Sequence, residues 1–428
     1  MRQKWFSDQV KVVHFVSQIT GGAGMAAWRL HSSLKKKGFD SNLVTLKEFV
    51  MNADGMLALS VKRDLSSRLY RRVRSFFYYR HLDNIKMHRT LGFDLFSPDW
   101  TRLGKTICIE DYCADVVNLH WIPGLIDIPS ILPLAKVPLV WRIPDEFPIT
   151  GGCHYSLGCE RWKNGCGACP QLGSIRQNDA SSRSWERKQK TFKRAGGNLV
   201  IVSPSTWLFN RARESLFFGK ARVEHIPTGT DLNKYQSRGR EGLRRAFGLG
   251  ERDRALLFVA DRVSNRRKGF GVLQEALAGL QVPRGGRLVL FSVGRKAPEG
   301  LENHEHIALG SIENEELMAA VYSAADLFVA PSLQDNLPNT VLESLACGTP
   351  VIGSHTGGIP DMVRPGDTGW LFETGNGEAL RATLREALAT RDLTGLRTRC
   401  REVAEREYSL ELQAERYKKL YEEVAGRA

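Results

Sequence analysis

No apolar run in the 428-residue sequence approaches the roughly 18 residues that a helix needs to cross a bilayer. Its opening stretch, MRQKWFSDQVKVVHFVSQIT, has neither a signal-peptide core nor a cleavage site, so a cytoplasmic location is expected. Cysteine is sparse, eight in the chain, and in such a compartment reads as thiols or metal ligands rather than a disulfide framework. No Asp-x-Asp triplet occurs, which removes by pattern the simplest carboxylate clamp for a catalytic divalent cation. Internal repeats and low-complexity tracts are also missing, which argues against solenoids and disordered arrays.

Acidic residues are in deficit, 47 Asp and Glu against 61 Lys and Arg, for a net charge of +14. The imbalance is uneven. Residues 1–200 hold 30 Lys/Arg against 17 Asp/Glu, whereas residues 301–428 hold 12 against 21. A basic front half suits an anionic partner, such as phosphate groups, a membrane surface or nucleic acid, and equally suits a plain solvated basic surface. The length exceeds what one hydrophobic core serves, so two domains are expected.

Short Val-, Ile- and Leu-rich runs alternate with segments of helical periodicity. KVVHFV (11–16), DVVNLHW (115–121), PLVWRI (138–143), NLVIVS (198–203) and RVEHIP (222–227) read as buried strands of one sheet. A second series follows at 255–260, 287–294, 306–310, 326–331, 350–354 and 369–372, with helical patterns over 270–280, 313–324 and 338–347. This order predicts an α/β protein of two doubly wound, Rossmann-like domains divided near 227–242. The expected boundaries are 1–232, carrying a four-cysteine insert at 153–169, then 233–406, and a closing amphipathic helix within 407–428.

The most informative stretch is PSLQDNLPNTVLESLACGTPVIGSHTGGIPD, residues 331–361. A strand should end at Pro331, a loop should lead to Pro338 in the first turn of a helix, and Gly348 should stop that helix before the next strand. The loop then lies at the carboxyl edge of a parallel sheet, where open α/β sheets bind ligands and free helix N–H groups suit phosphate. Asp335 falls in the loop, and Glu343 about 7.5 Å along the helix axis from Pro338. Carboxylates at such separated levels are poorly placed to share one proton and well placed to accept hydrogen bonds from hydroxyls on different parts of a long ligand. TGGIP (356–360) supplies a second glycine-rich turn before another helix start, and two such starts side by side suit a diphosphate.

Residues 331–372 resemble the donor-binding signature of retaining glycosyltransferases of family four, and most nearly the bacterial colanic-acid and exopolysaccharide type. The family's glutamate, seven residues, glutamate pattern is carried here by Asp335 and Glu343. ADRVSNRRKGFGVLQEAL (260–277) resembles the family's Arg-x5-Lys-Gly segment through Arg262, Lys268 and Gly269. QITGGAGMAAWRLHSSLKKKGF (18–39) places Gly21, Gly22 and Gly24 after the first strand, and VNLHWIPG (117–124) places His120 at the family's histidine. In VWRIPDEFPITGG the family's His-Asp is Pro144-Asp145. The resemblance implies a GT-B fold with a donor and acceptor cleft between two facing domains. It also implies transfer from a nucleotide-diphosphate sugar, UDP- or GDP-linked, to a glycan or lipid-linked acceptor in exopolysaccharide, capsule or lipopolysaccharide assembly. Retention at the anomeric carbon needs no catalytic metal in this scheme. Arg262 and Lys268 would neutralise the diphosphate, with Asp335 on the sugar hydroxyls and His120 also at the reaction centre. Glu343 would hold the ribose; Asn336, Leu337, Pro338, Asn339, Thr340 and Gly269 would line the donor. Gly21, Gly22, Gly24 and Asp145 would lie on the acceptor side.

Two features lie outside that signature. Cys153, Cys159, Cys166 and Cys169 are compatible with a tetrahedral structural zinc and equally with buried free thiols or redox chemistry. Residues 61–89 carry nine Lys/Arg interleaved with Tyr70, Phe76, Phe77, Tyr78 and Tyr79. Such a helix either rests on an anionic membrane surface or packs on the first domain through its aromatics. Rival readings are a GT-B-fold sugar-nucleotide epimerase or phosphorylase, and a basic zinc-containing nucleic-acid-binding protein. No recognisable nucleic-acid motif supports the last, and nucleic acid is not an expected partner.

Overall fold

A computed structural model describes residues 9–427 apart from 47–53, 89, 91–92, 135, 196–197, 281–285, 298, 302–303 and 391. Arg89, the end of the basic segment, lies outside the described residues. The chain divides into two compact units, one running to Ile226 and resuming at Gln413, the other Pro227–Leu412.

The first unit is a parallel sheet of β1 (Lys11–Phe15), β2 (Asp40–Val44), β3 (Met56–Leu57), β4 (Val116–Leu119), β5 (Leu139–Arg142), β6 (Leu199–Ser203) and β7 (Arg222–His225). Its order is β3-β2-β1-β4-β5-β6-β7. Around it lie α1 (Gly21–Lys36), α2 (Leu65–His88), α3 (Ile131–Leu134), α4 (Ala180–Ala195) and α5 (Thr206–Glu214). The five strands expected from apolar runs are present. β4, β5 and β6 are buried along their whole length, as strands covered on both faces must be. β2 and β3 escape that reading because DSNLV offers only two apolar residues. Leu43 is nevertheless buried against Val16 and Ala27, and Val44 joins the cluster of Val13 and Phe15.

The second unit contains α6 (Arg240–Ala246), β8 (Arg254–Arg262), α7 (Phe270–Ala278), β9 (Leu288–Arg295), β10 (Glu305–Ala308), α8 (Glu315–Ala324) and β11 (Leu327–Ala330). It continues through α9 (Asn339–Ala346), β12 (Val351–Ser354), α10 (Ile359–Met362), β13 (Gly369–Phe372), α11 (Gly377–Ala389) and α12 (Thr394–Glu407). Its sheet is parallel in the order β10-β9-β8-β11-β12-β13. Phe328 and Val351 face one apolar cluster and Leu327, Val329 and Ile352 the other, so alternate side chains serve the two faces. α13 (Leu410–Val424) closes the chain on the first unit, where Ala414, Tyr417, Leu420 and Tyr421 pack with Val12, Leu30, Leu34 and Val140. The Tyr421 hydroxyl accepts a hydrogen bond from Asn118 at the centre of that sheet.

Strand order reverses between β1 and β4 in one sheet and between β8 and β11 in the other. Crevices outside the carboxyl ends of strands at such switch points are where doubly wound sheets hold ligands.

Candidate active site

At the β8/β11 switch point three loops interlock. The turn after β8 is one round of 3-10 helix, Arg266–Lys268, started by Asn265, whose side chain accepts from the Arg267 N–H. The loop after β11 is tied to it where Leu333 N donates to Arg267 O at 2.7 Å and Arg267 Nη1 to Gln334 O at 3.0 Å. The loop after β12 closes from the other side, with Gly358 N donating to Asp335 O at 3.1 Å and Thr356 Oγ1 to Leu333 O at 3.3 Å. Gly357 makes this contact possible. Its φ is +57° and a Cβ there would stand 1.7 Å from Asp335 O, so any side chain would push the two loops apart.

Asp335 sits at the centre of this lock, buried, with Lys268 Nζ 2.6 Å and Arg267 Nη1 3.0 Å from its Oδ2. Burial alone would raise its pKa. The Lys268 and Arg267 cations overcome that and hold the carboxyl at about 2, below its ordinary 3.8. The carboxylate is therefore anionic at every physiological pH, suited to accepting hydrogen bonds and unsuited to delivering a proton. Glu343, on α9, is buried eight residues further on and accepts from the Tyr322 hydroxyl at 3.3 Å. That hydroxyl's pKa is driven far up, by burial first and then by the Glu343 charge.

Asn336, Leu337 and Pro338 are buried in the same loop, while Asn339 and Thr340 open α9 half-exposed. Gly269 ends the 3-10 turn beneath Pro331. These residues, expected to line the donor, stand on the loops after β8 and β11 and on the start of α9. Arg262 ends β8 exposed, and the arginine that pairs with Asp335 is Arg267. The helix start expected at Pro360 is a single turn, because Val363 is already extended and Pro365 follows. One turn has little dipole, so anion binding at that place would rest on the 356–358 loop.

At the β1/β4 switch point of the first unit, Gly21 and Gly22 lie exposed where α1 begins, and Gly24 packs against Gln18 O. His120, just past β4, is fully buried, its Nε2 2.9 Å from His14 Nδ1. Burial, reinforced by His14, pushes its pKa well below the usual imidazole value, so the ring is neutral. Asp145 is buried and its Oδ2 lies 2.6 Å from His154 Nδ1. His154 in turn stacks on Phe147 and meets Ser97 Oγ at 2.9 Å. A histidine thus stands beside Asp145 although position 144 is proline. It comes from GGCHYS in the cysteine segment, which sequence spacing gave no reason to connect.

Cys153, Cys159, Cys166 and Cys169 line one small cavity together with Phe96 and Trp162. Burial raises the thiol pKa of Cys153, Cys166 and Cys169, that of Cys166 to about 12. Among the described residues no group of three or more His, Cys, Asp or Glu is arranged to hold a metal ion, and none of the four cysteines is in a disulfide.

Residues 253–390 match the family model described as Glycosyl transferases group 1. The matched stretch contains Arg262, Arg267, Lys268, Gly269, Glu343 and residues 335–340. D-inositol 3-phosphate glycosyltransferase of Geodermatophilus obscurus is 33% identical over 184 residues, 39% of this chain and 40% of that protein. The chain therefore spans about two fifths of that relative's length. Sucrose-phosphate synthase from Thermosynechococcus elongatus superposes with a TM-score of 0.66 over 98% of this chain and 100% of its own, at 18% identity. Anabaena HepE in complex with UDP-glucose superposes at 0.60 over 97% and 100%, at 13% identity. The fold, two parallel-sheet α/β domains, is that of the GT-B glycosyltransferases.

Proposed function

We propose that this chain is a retaining glycosyltransferase moving a hexose-type sugar from a nucleotide-diphosphate sugar to a glycan or lipid-linked acceptor. We place the reaction at the cytoplasmic face of a membrane, in exopolysaccharide, capsule or lipopolysaccharide assembly, and assign its catalytic step no metal. The observation that carries the reading is Asp335, a buried carboxylate held anionic by two cations at the switch point of a group 1 domain. The UDP-glucose bound to HepE, a protein of the same fold, supports a nucleotide-sugar donor.

In this reading Asp335 accepts from donor sugar hydroxyls and Glu343 from the ribose. Residues Asn336–Thr340 line the sugar and phosphates. Arg262, Arg267 and Lys268 offset the charge that builds on the diphosphate as the glycosidic bond breaks. The leaving phosphate helps remove the acceptor's proton, a role that Asp335, ionised down to about pH 2, does not fill. His120 and Asp145 belong to the acceptor side as buried positioning groups.

Thermal-shift screening against UDP-, GDP-, dTDP- and ADP-sugars tests this, with free UDP and GDP as controls. Stabilisation by one nucleotide series, lost in Glu343→Ala, is expected. No shift with any series, or unchanged donor kinetics in Glu343→Ala, would overturn the donor site. Conversion of a UDP-sugar without acceptor would favour an epimerase instead.

A further inference from the structure

Seven of the eleven large apolar side chains that stand exposed among the described residues lie on the single helix α2: Leu65, Leu69, Val73, Phe76, Phe77, Tyr79 and Met87. Leu65 is 81% exposed and Met87 77%. Five of them recur at positions 65, 69, 73, 76 and 87, which at 100° per residue fall on one stripe, with Arg80 and Asp83 on the same stripe between Phe76 and Met87. The opposite stripe fastens the helix to the first unit. There Tyr78 and Ile85 are buried, Arg74 pairs with Asp127 at 2.5 Å, and Tyr78 and His81 both meet the Trp100 ring. The outward stripe thus belongs to a helix fastened to the first unit and faces solvent.

The same helix carries six Lys/Arg, at 68, 71, 72, 74, 80 and 86, against one acid, Asp83. Arg68, Arg72 and Lys86 project beside the apolar stripe by helical phase, Lys86 3.6 Å from the exposed Asp83 carboxylate. An apolar ridge flanked by cations matches one solvent, the boundary between acyl chains and anionic headgroups. A folded protein partner of matching shape would cover the ridge without needing the cations on one flank.

We propose that α2 is an in-plane membrane anchor, which seats Leu65, Leu69, Val73, Phe76 and Met87 in the headgroup boundary of an anionic leaflet while Arg68, Arg72 and Lys86 contact lipid phosphates. The inference rests on α2 alone and stands or falls apart from the donor-site reading. A geometric contrast makes it testable. Lys105 and Lys136 lie behind the helix, lining a cavity of about 1160 Å³ with Tyr70 and Trp100. They carry the same charge as Arg68 and Arg72 without sharing their face.

The test is sedimentation of the full chain with phosphatidylcholine vesicles, with and without a large fraction of phosphatidylglycerol. Binding is expected only to the anionic vesicles. Removing two basic contacts, each worth about fivefold in partitioning, should weaken it roughly 30-fold in R68A/R72A. L69S/F76S should lose binding by at least about tenfold, while K105A/K136A should stay within about threefold of the unmodified chain. All three pairs are on exposed or cavity-lining positions, and circular dichroism confirms that each variant is folded. Equal binding to neutral vesicles, none to anionic ones, or equal losses in R68A/R72A and K105A/K136A would each overturn the proposal. So would a dimer in solution that L69S/F76S dissolves, since the ridge would then belong to a second copy.

Discussion

Replacing Asp335 by Asn keeps the shape of the central side chain and removes its charge. In the folded unit the carboxyl is held at about 2 against an ordinary 3.8. At 1.36 kcal/mol per unit, the ionised form is favoured by about 2 kcal/mol in the fold relative to the unfolded chain. Because the folded pKa is the lower one, that contribution is complete well above pH 3.8 and is lost as the pH falls toward 2. At neutral pH, D335N should therefore unfold more easily by about 2 kcal/mol, which for a unit of this size lowers Tm by roughly 4–8 °C. Below pH 5 the gap between the two proteins should narrow, since the unmodified chain loses its advantage while the Asn variant has none to lose. Scanning calorimetry reads the shift, and hydrogen exchange of peptides from residues 327–346 assigns it to this unit. A D335N protein as stable as the original at pH 7, or a gap that does not close on acidification, would refute the claim that Lys268 and Arg267 overcome the cost of burying Asp335.

Gly357→Ala should lose both stability and donor binding, because its Cβ meets Asp335 O at 1.7 Å, whereas Gly366→Ala, also at positive φ but in open space, should cost only about 1–2 kcal/mol. Equal Tm values for the two would refute the loop lock. Glu343→Ala should raise donor KM about 100-fold through the loss of two charge-assisted hydrogen bonds, with the fold retained at a lower Tm because the buried Tyr322 hydroxyl loses its acceptor; steady-state kinetics at saturating acceptor measures it. Tyr421→Ala should destabilise the first unit by about 4 kcal/mol, a fully buried aromatic being lost from beneath the sheet, and should show as a lower calorimetric transition. Elemental analysis of the purified protein separates the two states open to the four cysteines: about one equivalent of zinc or iron for a structural metal site, less than about half an equivalent for free thiols.

The strand order along the chain was legible because β4, β5, β6, β11 and β12 are buried on both faces and so must be written as short continuous apolar runs. The Asp335 and Glu343 pair was legible for a similar reason: a parallel strand, a loop and a proline-started helix leave few ways to place residues between them. What local sequence could not decide depends on contacts between distant segments. Arg262, Arg266 and Arg267 are chemically equal, and only the 3-10 turn started by Asn265 aims Arg267 at the carboxylate. His154 reaches Asp145 only because the cysteine segment folds back onto the loop after β5. Polar β2 is a strand only because it is pinned beside β1. The periodicity of α2 announced an amphipathic helix but not which stripe faces inward. Burial is a property of the assembled neighbours: Trp100 and Asp127 claim Tyr78 and Arg74, and the stripe of Leu69 and Phe76 is left to solvent.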